Sequence, residues 1–170
     1  MSTKVHLDSI QNKKDNKISF AAITAYDFTS ASIIDSVGIP IILVGDSAAM
    51  VVFGYENTIP ITMQEMLFIV SSVSRGAKKS LIVADMPFLS YQQSIECAIE
   101  NAGLFIKKGG AHCVKLEGGK EMCPQIEAIS NCGIPVMGHI GLTPQSINKL
   151  SGYKVQGKTI SSARKLYNDG

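Results

Sequence analysis

Three acidic residues stand where apolar runs stop. Asp46 closes PIILVGD (Pro40 to Asp46), Asp85 lies one residue from the end of SLIVADM (Ser80 to Met86), and Glu117 one residue from the end of HCVKLEG (His112 to Gly118). If these runs are parallel strands, all three carboxylates collect at one sheet edge, where α/β proteins place ligands and catalytic groups. Carboxylates held close repel unless protons or a cation offset the charge. With hard oxygen donors and no His-Cys cluster, the ion that suits them is Mg²⁺, through Asp46, Asp85 and Glu117. The alternative is helix capping, for which Asp27 and Asp46 are well placed. Lys115 precedes Glu117 by two, so both side chains share a strand face. A lysine among carboxylates suggests an anion site, or a structural ion pair with Glu117 or Asp85. His139 ends a further run in GHIGLTPQ, whereas His112 opens one and His6 lies in a polar leader; His139 alone is a site candidate, either chemical or a hydrogen-bonded spacer. Ser47 can donate to a bound carboxylate or cap a helix, and Ser90 and Tyr91 follow Asp85 in a turn.

The elements that must position these groups alternate. Strand-like runs occupy Ile18 to Tyr26, Pro40 to Asp46, Ser80 to Met86, His112 to Gly118 and Ile134 to Gly141. Their near-continuous apolar character is that of parallel strands covered on both faces. Helical periodicity fills Phe28 to Val37, Thr62 to Gly76, Tyr91 to Lys108 and Lys120 to Asn131, with Gly placed to stop each helix. The segment AMVVFGYENTIPI is too apolar for a linker and reads as a structured loop over the site. Five βα units fit either part of an eight-stranded barrel or a doubly wound sheet, and periodicity does not choose. A barrel usually takes ~250 residues, so on that reading this sequence is about three units short. No internal boundary is visible, and one domain over residues 1–170 is expected.

The totals narrow the function classes. With 45% hydrophobic and 18% charged residues the chain is expected to pack a core rather than stay disordered. A net charge of +2, with Lys and Arg scattered, argues against nucleic acid. Cys97, Cys113, Cys123 and Cys132 form no Cys-x-x-Cys pair and read as reduced thiols, filling core with the methionines. The polar start lacks the apolar stretch of a signal peptide, and the longest apolar region, Ile39 to Phe53, is broken by Gly45-Asp46-Ser47. The expectation is a cytoplasmic protein with no membrane span.

The strings VGDSAAMVVFGYENTIPITMQEM, VADMPFLSYQ, GGAHCVKLEGG and GIPVMGHIGLTPQ look like successive signature segments of ketopantoate hydroxymethyltransferases, in order, from about Ile23 to Thr159. The resemblance implies a (β/α)₈ TIM-type barrel, truncated here after about five βα units. It also implies transfer of a one-carbon unit from 5,10-methylenetetrahydrofolate to 3-methyl-2-oxobutanoate, giving 2-dehydropantoate, with Mg²⁺ and a homo-oligomeric assembly. By the same match Asp46, Asp85 and Glu117 hold the ion, while Asp46, Ser47, Asp85 and Lys115, with His139 as a further candidate, contact the keto acid. Two departures stand out. The family's general base is a glutamate on a later strand, and the sequence ends at Gly170 before a matching segment, so no base is assigned and weak or no turnover by the chain alone is expected. Ile69 stands where the family tends to carry His. Two other readings are a phosphoenolpyruvate mutase or isocitrate lyase-like 2-oxo acid enzyme, against which GHIGLTPQ and DMPFLSYQ argue, and an inactive remnant or assembly unit.

Overall fold

A computed structural model describes residues 4–150 and 152–170. In chain order the elements are α1 (Leu7–Asp15), β1 (Ala22–Thr24), α2 (Phe28–Ser36), β2 (Ile41–Val44), α3 (Ala48–Val51), α4 (Met63–Gly76), β3 (Leu81–Asp85), α5 (Ile95–Leu104), β4 (Cys113–Glu117), α6 (Cys123–Asn131), β5 (Val136–His139), α7 (Ile147–Leu150) and α8 (Ile160–Asp169). A π-helical turn, Phe105–Gly109, continues α5, and Gly110 closes it at φ 73°, a left-handed conformation that costs glycine little.

The strands form one parallel sheet in the order β1-β2-β3-β4-β5. A doubly wound sheet reverses its strand order at a switch point. Here each strand lies beside its predecessor, as in a (β/α) barrel wall. The fold is thus α/β of the TIM-barrel type, with five units present.

Side chains alternate across the strands and divide the core in two. Outward-facing Ile42, Val44, Ile82, Ala84, Val114 and Leu116 meet the helices, where Val70, Val73, Phe105 and Ile129 complete a buried layer. Inward-facing Ile41, Leu81, Val83 and Cys113, with Leu43 and Met137, form a second cluster closed from below by Val5 and Ile10. The same inward register carries Asp85, Lys115, Glu117 and His139 at the top of β3, β4 and β5.

Several boundaries differ from expectation. Only Ala22–Thr24 of the run Ile18 to Tyr26 is strand, because β1 pairs on one side only, opposite Ile41–Leu43. The polar start forms α1, whose first turn is closed by Ser9 Oγ accepting from His6 N at 3.2 Å, although none of its residues is fully buried. The third expected helix begins at Ile95, not Tyr91, because Ser94 caps it and the chain before it turns inward. The segment after Ser47 opens with the short α3. All four cysteines are free, yet Cys123 and Cys132 are exposed at the two ends of α6 rather than in the core. Ile69, in α4, is buried in the main core. No described helix is long and apolar enough to cross a membrane.

Candidate functional site

The site grows from the carboxyl ends of β2, β3 and β4. Asp85 and Glu117 are the last residues of their strands, and Asp46 lies two residues past β2 in a tight turn. Gly45 leaves room there: a Cβ would come within 2.7 Å of Ser47 Oγ, turning that hydroxyl aside, and would touch Asp85 Oδ2 at 3.5 Å. The turn brings the Asp46 backbone N–H onto Asp85 Oδ2 at 3.2 Å. Asp46 does not cap a helix with its side chain, since α3 has no side-chain cap, whereas Asp27 does cap α2 by accepting from Ser30 N. The two acids that look alike in sequence therefore do different work.

Lys115 Nζ donates to Asp85 Oδ1 at 2.6 Å, and both side chains are nearly buried, at 14% and 7% exposure. Of the sequence-level alternatives, the ion pair to Asp85 is the one formed. Burial raises the Asp85 carboxyl above the usual range, with Lys115 pulling it back. Burial, then the neighbouring charge of Asp85, pushes Asp46 up to about 6, while Gln145 opposes the rise. Three buried carboxylates thus face one ammonium group, and the site is short of positive charge.

His139 Nδ1 lies 3.2 Å from Glu117 Oε1, within ion-pair distance but outside hydrogen-bond alignment. Ser47 Oγ shares a 2.8 Å hydrogen bond with Tyr26 OH. Gln145 escaped the sequence reading, and Tyr91 stood there only as a turn residue. Tyr91 is fully buried, its hydroxyl accepting from Glu117 N at 3.0 Å, and Leu89 just before it takes a left-handed φ of 65° as the chain turns inward. Gln145, in the 3₁₀ turn Pro144–Ser146 after β5, donates from Nε2 to Asp46 Oδ2 (2.9 Å) and from its backbone N to Glu117 Oε2 (3.0 Å). The signal that could have found it is the polar residue two positions after Thr143 in GHIGLTPQ, a string too apolar around it for a simple surface turn.

Among the described residues no three His, Cys, Asp or Glu side chains converge as a metal cage does. The donor set nevertheless fits Mg²⁺, which is usually held by one or two carboxylates, with waters and substrate oxygens completing the shell. Asp46 Oδ1 accepts no hydrogen bond among the described residues, and the upward shifts of Asp46 and Asp85 mark a place where a cation would be favoured.

Comparison with known proteins adds a family. The family model described as ketopantoate hydroxymethyltransferase matches residues 4–170. A 3-methyl-2-oxobutanoate hydroxymethyltransferase of Dehalococcoides mccartyi is 54% identical over 163 residues, covering 96% of this chain and 58% of the relative. One of Carboxydothermus hydrogenoformans is 53% identical, covering 98% and 60%. The chain thus spans about three-fifths of the length of the curated relatives it matches. Among solved structures, a phosphonopyruvate hydrolase in complex with oxalate and Mg²⁺ superposes with a TM-score of 0.67 at 11% identity, covering 94% of this chain and 66% of that one. A 2,3-dimethylmalate lyase of the PEP mutase/isocitrate lyase superfamily gives 0.62 at 17% identity, covering 96% and 60%. At such identities the likeness concerns the fold alone.

Proposed function

The chain belongs to the ketopantoate hydroxymethyltransferase family, and from that premise we propose that it serves the transfer of a hydroxymethyl group from 5,10-methylenetetrahydrofolate to 3-methyl-2-oxobutanoate, giving 2-dehydropantoate. The observation that carries the reading is the chain of contacts Lys115–Asp85–Asp46 at the strand-end edge, with Asp46 Oδ1 left without a hydrogen bond among the described residues.

In this proposal Asp46 and Asp85 hold Mg²⁺, with Glu117 joining through its own oxygens or through water. The ion, when bound, supplies positive charge to the 2-oxo and carboxylate oxygens of the keto acid and so favours its enolate. Lys115 places an ammonium group beside the same oxygens. Ser47, tied to Tyr26, donates to the substrate carboxylate, and His139 stands at the rim as a further contact. The carboxylates are engaged with Lys115, Gln145 and the cation, so the proposal places removal of the C3 proton on a group outside these residues. The nucleophilic C3 carbon then bonds to the folate-borne one-carbon unit, whose two C–N bonds break as a water supplies the hydroxyl oxygen and tetrahydrofolate leaves, with proximity in the pocket supplying much of the rate. Assembly as a homo-oligomer and residence in the cytoplasm belong to the same proposal, as does the reading of residues 1–170 as one barrel-type unit.

Calorimetric titration of 3-methyl-2-oxobutanoate into the chain, with and without Mg²⁺, tests it. Binding is expected only with the ion, and at least tenfold weaker in Asp85→Ala. Binding that ignores Mg²⁺, or none at all, would count against the reading.

A further inference from the structure

The geometry points to Gln145 as a positioning residue: its side-chain amide fixes the orientation of Asp46 so that Oδ1 alone faces the ligand, and its backbone N–H ties Glu117 to the same frame. This rests on the Mg²⁺ and 2-oxo acid reading of the site.

Gln145 is buried, and every polar atom of its side chain is used. Nε2 donates to Asp46 Oδ2 at 2.9 Å and to the Met86 carbonyl at 2.8 Å. Oε1 accepts from Tyr91 OH at 2.8 Å and from Gln92 Nε2 at 3.3 Å. These partners decide which end of the amide is which. Asp46 Oδ2 and the Met86 carbonyl can only accept, so a reversed amide would set an oxygen against two oxygens and a nitrogen against the Gln92 NH₂. Tyr91 OH is held from its other side by Glu117 N at 3.0 Å, which leaves its proton for Gln145 Oε1 or the Glu117 carbonyl. The amide cannot turn without breaking its contacts to the turn after β2 and to the Met86–Gln92 loop together.

The consequence falls on Asp46, whose turn past β2 gives its side chain no ladder to lean on. With Oδ2 taken by Gln145 and the backbone N–H taken by Asp85, the carboxylate has one oxygen without a partner among the described residues and one direction in which to present it. Groups that orient a metal-binding carboxylate in this way typically affect ion affinity by 10–100-fold. A buried polar group with every one of its own atoms partnered, as Gln145 is, also specifies one geometry.

The test uses the full 170-residue chain. Gln145→Met keeps the length of the side chain and removes its donors and acceptor. The dissociation constant for Mg²⁺, measured by calorimetry with 3-methyl-2-oxobutanoate present, is expected to rise about tenfold or more while the circular dichroism spectrum of the variant stays that of the parent. A role in packing alone would lower the melting temperature and leave the Mg²⁺ affinity of the folded protein unchanged, and that result would overturn the inference. The second readout is the Gln145 side-chain amide in ¹⁵N NMR. In the parent its two protons should be widely separated and slow to exchange, and in Asp46→Ala the proton facing residue 46 should shift and exchange faster. Indifference of that signal to Asp46→Ala overturns the inference even if Gln145→Met fails to fold. If the parent binds no Mg²⁺, the functional reading falls, and the amide signal alone decides whether Gln145 holds Asp46.

Discussion

Lys115 carries the largest electrostatic burden of any single residue in the site. Its ammonium is bonded directly to the buried Asp85 carboxylate, which already rejects charge, so removing it leaves Asp85 uncompensated. Breaking one partner of a buried pair typically costs ~3–5 kcal/mol. Lys115→Met is therefore expected to lose stability of that order at pH 7.5 in urea unfolding. The sign of the pH effect follows from the direction of the Asp85 shift. Lys115 lowers the Asp85 carboxyl, so its loss raises that folded pKa further; the folded variant then takes up more protons than the folded parent, and the deficit should shrink as pH falls from 7.5 towards 5. Adding Asp85→Asn should restore much of the loss, and a double variant no better than Lys115→Met would refute the pairing account. Residues at this scale were only partly legible in sequence. Asp85, Lys115 and Glu117 announce themselves because strand alternation puts them on one face at one end. Gln145 did not, since its importance comes from contacts 99 and 28 residues away in sequence, which no local period encodes.

At the scale of elements, what positions the site is largely decided at helix starts and strand starts far from the chemistry. α4 supplies Met66, Val70 and Val73 to the wall behind β2 and β3, and its start is a reciprocal capping box: Thr62 Oγ1 accepts from Glu65 N at 3.2 Å, and Glu65 Oε2 accepts from Thr62 N at 2.8 Å. Thr62→Ala is expected to cost ~1 kcal/mol, with Thr62→Ser recovering most of it, as read from denaturant midpoints. Equal stability of Thr62→Ala and the parent would show the cap to be idle. At the other end of the sheet, His112 opens β4 by accepting the Ile82 N–H on Nδ1 at 3.0 Å, a bond that only a neutral ring can make. Burial, then Lys4 and His6, hold its pKa below the ordinary 6.5. Between that depressed value and 6.5 the unfolded chain binds the extra proton, so His112 contributes stability that is full above about 6.5 and declines as pH falls below it. His112→Asn can still accept through its carboxamide oxygen and does not titrate, so the loss of stability between pH 7.5 and 5.5 should be smaller than in the parent. Asp46 contributes with the opposite sign in both proteins and cancels in the comparison. Identical pH decrements would remove His112 from the account. Helix α1 shows where element-level reading fails: none of its residues is fully buried, so no apolar period marks it, and it is held by Ile10 against the inner cluster and by Ser9 Oγ accepting from His6 N at its start.

The whole molecule is a wall of five parallel strands with helices outside, and its sequential order follows from the repeated βα connection more than from any one strand. That repetition made the α/β class legible from periodicity. Choosing barrel over doubly wound sheet needed the strand order, a long-range property. The order also has a physical consequence at the margins. β1 and β5 each have one neighbour among the described strands, so each presents a row of backbone groups with no ladder partner. Around β1 the side chains of Ile18, Phe20 and Ile23 are exposed as well. An open edge beside apolar surface is a template for pairing with another chain, and natural proteins usually blunt such edges with charge or cover them. The only strand residues on β1 are Ala22, Ile23 and Thr24, none of them charged. The 170-residue chain on its own is therefore expected to self-associate with rising concentration in sedimentation velocity. Ile23→Lys, which sets a charge on that edge without touching Asp46, Asp85, Lys115 or Glu117, should reduce the association. A single monomeric boundary for the parent across the whole concentration range would mean that these edges are blunted by means other than pairing.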